Sequence, residues 1–273
     1  MKRVLGVIGS PRKMGNCELI VKEIASRLPE PARLVMVRLV GKDIRPCRAC
    51  YRCLTGACPI EDDFGKVLTA VLSADGVIVA APAYLHGANG SIQRFLDRGL
   101  RFYRHIDVLE RKPAVAVATA GMEDGEGFAL MAVENLVRGM GMTLKDRALI
   151  RAALPGEALL SEDGKAAAAR MAAALFSPGA FRSEGPSCTE CGGTYFEFRG
   201  KNRVYCLLCG GSGTISADGE SVRVETRGPA HAWRAGEARK SHGDWLVMMK
   251  ERYLRERERL KEVARVHAGG EFI

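Results

Sequence analysis

Apolar positions along the first two-thirds of the chain fall into two alternating regimes. Short apolar runs at 2–9 (KRVLGVIG), 33–39 (RLVMVRL), 76–81 (GVIVAA), 113–119 (PAVAVAT) and 143–151 read as strands. The run at 76–81 is continuous, as in a parallel strand buried on both faces. Between the strands the spacing turns helical. Leu19, Ile20, Ile24 and Leu28 predict one helix, and Phe64, Val67, Leu68, Val71 and Leu72 predict another over about 63–73, with Asp62 of the Asp62-Asp63 pair as its cap. Further helices are expected over about 91–104, from the loop 120–125 to about Met140, and over 158–176. Five βα units in series predict an α/β fold, a doubly wound parallel five-stranded sheet covered on both faces, occupying residues 1–176. Ligands of such sheets sit beyond the carboxyl ends of the strands, where the strand order switches. The loops 9–17, 82–90 and 120–125 fall at that edge.

After residue 176 the pattern changes. Residues 177–187 (SPGAFRSEGPS) read as a linker. Residues 187–215 form a small module in which Thr194–Arg199 and Arg203–Tyr205 flank Gly200-Lys201-Asn202, a hairpin signal. The last stretch, 216–273, is a polar segment followed by a helix over about 243–267 that carries Trp245, Leu246, Met248, Met249, Tyr253, Leu254, Leu260, Val263 and Val266. Its charges of both signs mark a solvated face, with a coiled or docked dimer contact as the other reading. His231, His242 and His267 lack metal-ligand spacing and read as surface residues.

The 273 residues, 47% of them hydrophobic, suffice for a substantial core. No apolar run approaches eighteen residues and the first ten read as a strand rather than a secretory signal, so a soluble, cytoplasmic protein with no membrane contact is expected. In that compartment nine cysteines have to stay reduced or bind metal. The net charge of +9 is spread along the chain rather than gathered into a basic arm. That makes a nucleic-acid partner unlikely on charge alone and suits an acidic protein partner or a phosphorylated cofactor.

The cysteines sort into two quartets and Cys17. Cys47, Cys50, Cys53 and Cys58 follow C-x2-C-x2-C-x4-C. Thiolates two residues apart on a looping backbone converge on one side, which suits the corners of a [4Fe–4S] cluster, and a turn at Gly56 lets Cys58 supply the fourth. A tetrahedral zinc site and reactive thiols or disulfides are the alternatives. Cys188, Cys191, Cys206 and Cys209 follow C-x2-C-x14-C-x2-C, each pair followed by glycine. Two such knuckles joined by a hairpin read as a structural zinc ribbon, with a rubredoxin-like iron site as the alternative.

The loop after the first strand runs Gly9-Ser10-Pro11-Arg12-Lys13-Met14-Gly15-Asn16 and opens a helix. Helix N-terminal amides with Ser10, Arg12, Lys13 and Asn16 beside them read as a phosphate cradle. Neither G-x-G-x-x-G nor the P-loop pattern occurs. A phosphate cradle next to the apolar aromatic loop 82–90 and the glycine-bearing loop 120–125 suits a flavin mononucleotide.

At this point residues 1–176 resemble the iron–sulfur flavoproteins, within the wider group of NADPH-dependent FMN reductases of flavodoxin-like fold. The resemblance rests on GSPRKMGN (9–16), the four-cysteine run followed by Asp62-Asp63, PAYLHGANG (82–90) and the loop at 120–125. It does not cover 177–273. It implies FMN held by Ser10, Arg12, Lys13, Gly15, Asn16 and Cys17 of the first loop, by Pro82, Ala83, Tyr84 and Leu85 of the second, and by Ala120, Gly121 and Met122 of the third. It further implies a [4Fe–4S] cluster on an insert at 44–60, electron passage between the two, a ferredoxin-like donor or acceptor, and a homo-oligomer, dimer or tetramer. Cys17 stands where that family usually has Thr or Ser, and His86 falls beside the expected flavin edge, either as a proton-handling group or as a solvent-facing loop residue. The leading functional expectation is therefore an electron-transfer flavoprotein with FMN, a [4Fe–4S] cluster and Zn2+. The alternatives are an NAD(P)H-dependent FMN or quinone reductase, and a redox-sensing protein whose ribbon contacts nucleic acid or a partner.

Overall fold

The computed structural model describes residues 1–218, 222–227 and 237–265, together with residue 269. Five parallel strands form the central sheet: β1 (Lys2–Ile8), β2 (Ala32–Arg38), β3 (Gly76–Tyr84), β5 (Pro113–Ala120) and β6 (Thr143–Arg151). Their order is β2-β1-β3-β5-β6, and the two-residue β4 (Gly87–Ala88) folds back antiparallel on the end of β3. β1 lies between β2 and β3, so the chain reverses its winding direction at β1, and a crevice opens over its carboxyl end.

Each apolar run is buried for a reason that its place in this order supplies. β3 and β5 are internal, and Val77–Ala81 and Ala114–Ala118 are closed off from water on both faces. β2 is an edge strand and shows a half-exposed pattern. One face of the sheet is covered by α1 (Asn16–Ser26) and α7 (Glu162–Leu175), whose Ile20, Ile24, Met171 and Leu175 meet Val4, Ile78 and Val117. The other face carries α3 (Phe64–Leu72), α4 (Ser91–Leu96) and α6 (Ala129–Gly139), with Phe64, Phe95, Val133 and Leu136 against Leu5, Val79 and Ala116. The short helix α2 (Arg52–Thr55) belongs to the cysteine insert.

Three expected helices are shortened. The helix expected over 91–104 stops at Leu96 and continues as tighter 3-10 turns from Gly99 to His105 before the four-residue α5 (Ile106–Leu109). There Arg98 points into the protein, its side chain fully buried, while Phe95 and Phe102 both pack on Phe64. The helix after residue 125 begins only at Ala129, because Gly127 (φ +48°) presses on the His86 carbonyl, where a Cβ would come within 2.1 Å. The helix expected from 158 opens with a 3-10 turn at Glu157–Leu159, and Ser161 then caps α7 by accepting the Gly164 N–H at 3.1 Å.

The carboxyl-terminal module is a four-stranded antiparallel sheet in the order β10-β9-β8-β7, made of β7 (Phe196–Phe198), β8 (Arg203–Cys206), β9 (Ser212–Ala217) and β10 (Val222–Arg227). The hairpin at Gly200-Lys201 is present, both residues having positive φ. The sheet continues past residue 215, the expected end of the ribbon, through two further strands. The linker lies along the parallel-sheet domain: Lys145 Nζ donates to the Ser177 carbonyl at 2.7 Å, and the Phe181 N–H donates to the Leu144 carbonyl at 2.8 Å. Arg147 joins the two bodies. It pairs with buried Glu134 at 2.6 Å, donates to Thr194 Oγ1 at 2.8 Å, and its guanidinium lies near the Phe181 and Tyr195 rings.

The last helix, α8 (Glu237–Arg265), starts earlier than expected. His242, expected at the surface, stacks on Trp245 and packs near Tyr103, and Leu246 is buried. Beyond Lys250 the apolar positions Tyr253, Leu254, Leu260 and Val263 are exposed. His231, Val266 and His267 lie outside the described residues. Among the described residues no helix is long and apolar enough to cross a membrane.

Candidate functional site

The first loop is built around an uncapped helix end. Gly15 precedes α1 in an extended conformation and provides no side-chain cap, so first-turn amides of α1 lack a side-chain acceptor. Donors without acceptors at a helix N-terminus favour an anion. Arg12 and Lys13 are exposed beside them, and among the described residues the Arg12 guanidinium makes one long 3.5 Å contact, to the Ala153 carbonyl. The loop is braced from below by residues the sequence did not single out. Arg38, the last residue of β2, donates to the carbonyls of Ser10 (2.6 Å) and Arg12 (2.8 Å) and to Glu18 (2.6 Å). Glu18 also accepts from the Met14 N–H and from Lys22, and these partners hold its carboxyl down at about 2.

Two of the expected donors have other work. The Asn16 side-chain amide donates to the Ala152 carbonyl and accepts the N–H groups of Gly156 and Ala158. Its side chain therefore ties the loop after β6 to α1. The Cys17 thiol turns into the core against Thr119 Oγ1 at 3.3 Å, and burial pushes it up to about 11. Ser10 is buried, with its hydroxyl accepting from the Arg12 N–H at 3.3 Å.

The second loop presents its side chains outward. β3 and β4 form a tight hairpin whose tip residues, Leu85 (φ 48°) and His86 (φ 63°), both occupy the left-handed region. That costs non-glycine residues of the order of 1 kcal/mol each, and the tip is held by the Phe128 N–H on the His86 carbonyl at 2.7 Å. Leu85 is 99% exposed, and Tyr84 and His86 are exposed beside it, while Pro82 and Ala83 are half-buried at the strand end. In the third loop Ala120 is buried, Gly121 approaches Ala153 so closely that a Cβ would sit 3.2 Å away, and Met122 is exposed. Arg151 clamps this loop through a two-pronged pair with Glu126 and a bond to the Met122 carbonyl. Three loops therefore meet at the carboxyl edge with an anion site on one side and exposed apolar groups on the other. The donor set fits a flavin mononucleotide, with Arg12, Lys13 and the α1 amides for its phosphate and Tyr84, Leu85 and Met122 for its ring.

The first cysteine quartet follows β2 at the same edge. Its chain coils tightly, with Ala49 (φ 47°) and Tyr51 (φ 55°) in the left-handed region. Cys53 is buried on α2, Cys58 is half-buried, and Cys47 and Cys50 face outward, all four as free thiols. Burial raises the Cys53 thiol, with the charges of Cys58, Cys47 and Cys50 adding to the effect. The Ala49 N–H donates to Cys47 Sγ at 3.4 Å, and Arg98 Nη2 donates to Cys58 Sγ at 3.3 Å. Cys58, Cys47 and Cys50 lie near enough for their charges to act on Cys53, and four cysteines with N–H and cationic donors beside them have the chemistry of an iron–sulfur ligand set. Asp62 closes the insert. The expected cap is displaced by one residue: Asp63 holds the cap position of α3 without a side-chain cap bond, while Asp62 Oδ1 accepts the Phe64 N–H at 3.1 Å and its Oδ2 holds the Arg45 N–H and forms a buried ion pair with Arg98. The sequence signal for Arg98 was a cation at a position on the apolar face, three residues after Phe95 and four before Phe102.

The second quartet is a compact four-thiol site. The sulfurs of Cys188, Cys191, Cys206 and Cys209 all lie within 4.8 Å of one another. The two knuckles repeat one hydrogen-bond pattern. The Gly193 and Gly211 N–H groups donate to Cys191 and Cys209 Sγ at 3.4 Å, while the Gly192 and Gly210 N–H groups donate to the Cys188 and Cys206 carbonyls. Gly192 and Gly210 have φ of +70° and +73°, which glycine adopts without strain. β10 docks on the first knuckle through Thr226, whose Oγ1 lies 3.0 Å from Cys188 Sγ and accepts the Thr189 N–H.

Comparison with known proteins agrees with this geometry. Residues 2–152 match the family described as NADPH-dependent FMN reductase. An iron–sulfur flavoprotein of Methanocaldococcus jannaschii is 34% identical over 125 residues, 45% of this chain and 64% of that protein. One of Methanosarcina thermophila is 31% identical over 127 residues, 45% of this chain and 65% of that protein. The chain thus spans just under two-thirds of the length of these relatives. A solved structure titled flavone reductase superposes over 99% of both chains with a TM-score of 0.73 at 18% identity, a likeness of fold that includes the carboxyl-terminal module. With more than half of its residues inside the matched family, this chain belongs to the NADPH-dependent FMN reductase family.

Proposed function

We propose that this protein moves electrons between a [4Fe–4S] cluster on Cys47, Cys50, Cys53 and Cys58 and an FMN held at the sheet edge, and that it exchanges them with a ferredoxin-like carrier. The observation that carries this reading is the adjacency of the two sites. β2 ends in Arg38, which grips the first loop, and passes through the 3-10 turn Leu39–Gly41 into the cysteine insert, which returns through Asp62, paired with Arg98 just beyond α4. Bound there, FMN supplies a two-electron store that also releases electrons singly, and the cluster a one-electron centre. The residues do the rest. Arg12, Lys13 and the α1 amides hold the phosphate, the Arg38–Glu18 pair keeps the loop in shape, and Tyr84, Leu85 and Met122 give the ring an apolar seat. The second quartet then takes structural zinc in a module that extends through β10 to Arg227, the residues 1–176 form the redox domain, and the protein works as a cytoplasmic homo-oligomer.

The ribbon hairpin does not favour a nucleic-acid role. Arg199, one of the hairpin's cations, is paired with Glu197 at 2.9 Å and lies 3.8 Å from the Tyr205 ring centroid, which offsets its charge. The family match keeps a direct NAD(P)H-dependent reductase as the competing reading. Anaerobic purification with absorption spectra and analysis of flavin, iron, acid-labile sulfide and zinc tests the cofactor set. The expected result is a yellow-brown protein with all four. Absence of labile sulfide would refute the cluster, and rapid flavin reduction by NADPH with none by reduced ferredoxin would favour the reductase.

A further inference from the structure

Arg98 is among the largest side chains wholly removed from water, and its partner Asp62 is equally buried, at 1% and 0% side-chain exposure. Burying two charges costs several kcal/mol per ion before their attraction is counted, so such a pair is weak evidence for stability. Its position is more informative. One edge of the guanidinium holds Asp62 and the Arg45 carbonyl (2.9 Å), and Nη2 reaches Cys58 Sγ at 3.3 Å. The Phe64 ring centroid lies 5.0 Å from the guanidinium carbon. Asp62 is itself fixed by the Arg45 and Phe64 N–H groups. A fixed cation with one fixed counter-charge is thus aimed at a single ligand sulfur, in surroundings of low dielectric where its field is strong.

We propose that Arg98 is a positioning residue for Cys58 that raises the reduction potential of the cluster through a charge-assisted N–H···S bond, and that Asp62 limits that rise. This rests on the assignment of a cluster to Cys47–Cys58. One-electron reduction adds one negative charge to the cluster and its sulfurs and breaks no bond. A cation and donor at a ligand sulfur favour the reduced form, and a nearby carboxylate favours the oxidised form; hydrogen bonds to the sulfurs and net charge are established levers on such potentials. The two residues therefore pull in opposite directions, whereas loss of either from a purely structural pair would disturb the site in the same sense.

The test is made on the full-length protein, anaerobically, with wild type, Arg98→Met, Arg98→Lys and Asp62→Asn. Iron and labile sulfide are measured first, and the cluster is then titrated electrochemically with its electron paramagnetic resonance signal as readout. Arg98→Met is expected to disfavour reduction at least tenfold, which for one electron is a fall of about 59 mV. Asp62→Asn is expected to move the potential upward, and Arg98→Lys to recover part of the loss. An unchanged potential in Arg98→Met, or a downward shift in Asp62→Asn, overturns the proposal. If Arg98→Met fails to assemble a cluster, Asp62→Asn decides alone: a rise supports the proposal, and no change or a fall overturns it. A wild type lacking iron and sulfide would refute the cluster assignment itself.

Discussion

Arg12 and Lys13 are the cations that stand exposed at the uncapped end of α1, and Arg12 is the sharper test of what that end binds. A hydrogen bond to a charged group contributes about 1.5–3 kcal/mol, so Arg12→Ala should weaken FMN binding roughly ten- to a hundred-fold while leaving riboflavin, which lacks the phosphate, almost unaffected. Titration of both ligands into flavin-free protein measures this, and equal losses would remove Arg12 from the phosphate. Glu18 gives a pH dependence of known sign. Its folded carboxyl sits at about 2 against an ordinary value of 4.5, so its contribution is present above about 4.5 and is lost as the pH falls toward 2. Glu18→Gln should therefore be less stable than wild type at pH 7, and the gap between their denaturation midpoints should close on acidification. The motif GSPRKMGN announced the anion site because uncapped helix ends and small polar residues are local features. The division of labour within it was not legible: that Asn16 serves the chain at 152–158, and that Cys17 faces Thr119, depends on contacts over a hundred residues away.

Strands and helices were readable where burial alone decided them, as in the continuous apolar run of β3 and the single apolar face of α3. They were misjudged where a distant group intervened. α4 ends at Leu96 where the chain tightens to bring Arg98 to Asp62, and α6 starts late because the preceding loop is pressed against the hairpin tip at His86. In the ribbon the cysteine spacing was legible and the strands β9 and β10 were not, because their polar sequence pairs only along the edge that the knuckles create. This module buries a small cluster around its own thiols, too little for a stable core, so metal binding has to supply most of its folding energy. Chelation, or the Cys206→Ser, Cys209→Ser double variant, should expose the amides of 188–227 to hydrogen exchange while β1, β3 and β5 stay protected. If the metal is zinc, flavin reduction should be unchanged in that variant. Slowed reduction with the 47–58 cluster intact would instead mean a redox-active iron in the ribbon.

At the scale of the whole molecule, the winding order of the sheet gathers the chemistry. Because β1 sits between β2 and β3, the first loop, the cysteine insert and the aromatic hairpin all leave the sheet at one edge, with Arg38 bracing the first loop and Arg98 holding the insert. The two proposed cofactor sites use different residues. Replacing Cys50, an exposed thiol on the insert, should remove the cluster and leave the flavin loops untouched. The most direct measurement is anaerobic reduction by reduced ferredoxin of wild type and Cys50→Ala, each loaded with FMN and followed at the flavin and iron–sulfur bands. Wild-type flavin should bleach, with the cluster band responding first or together with it. The variant should keep its FMN and bleach far more slowly. A variant that binds FMN and is reduced by ferredoxin at the wild-type rate would contradict electron passage through the cluster.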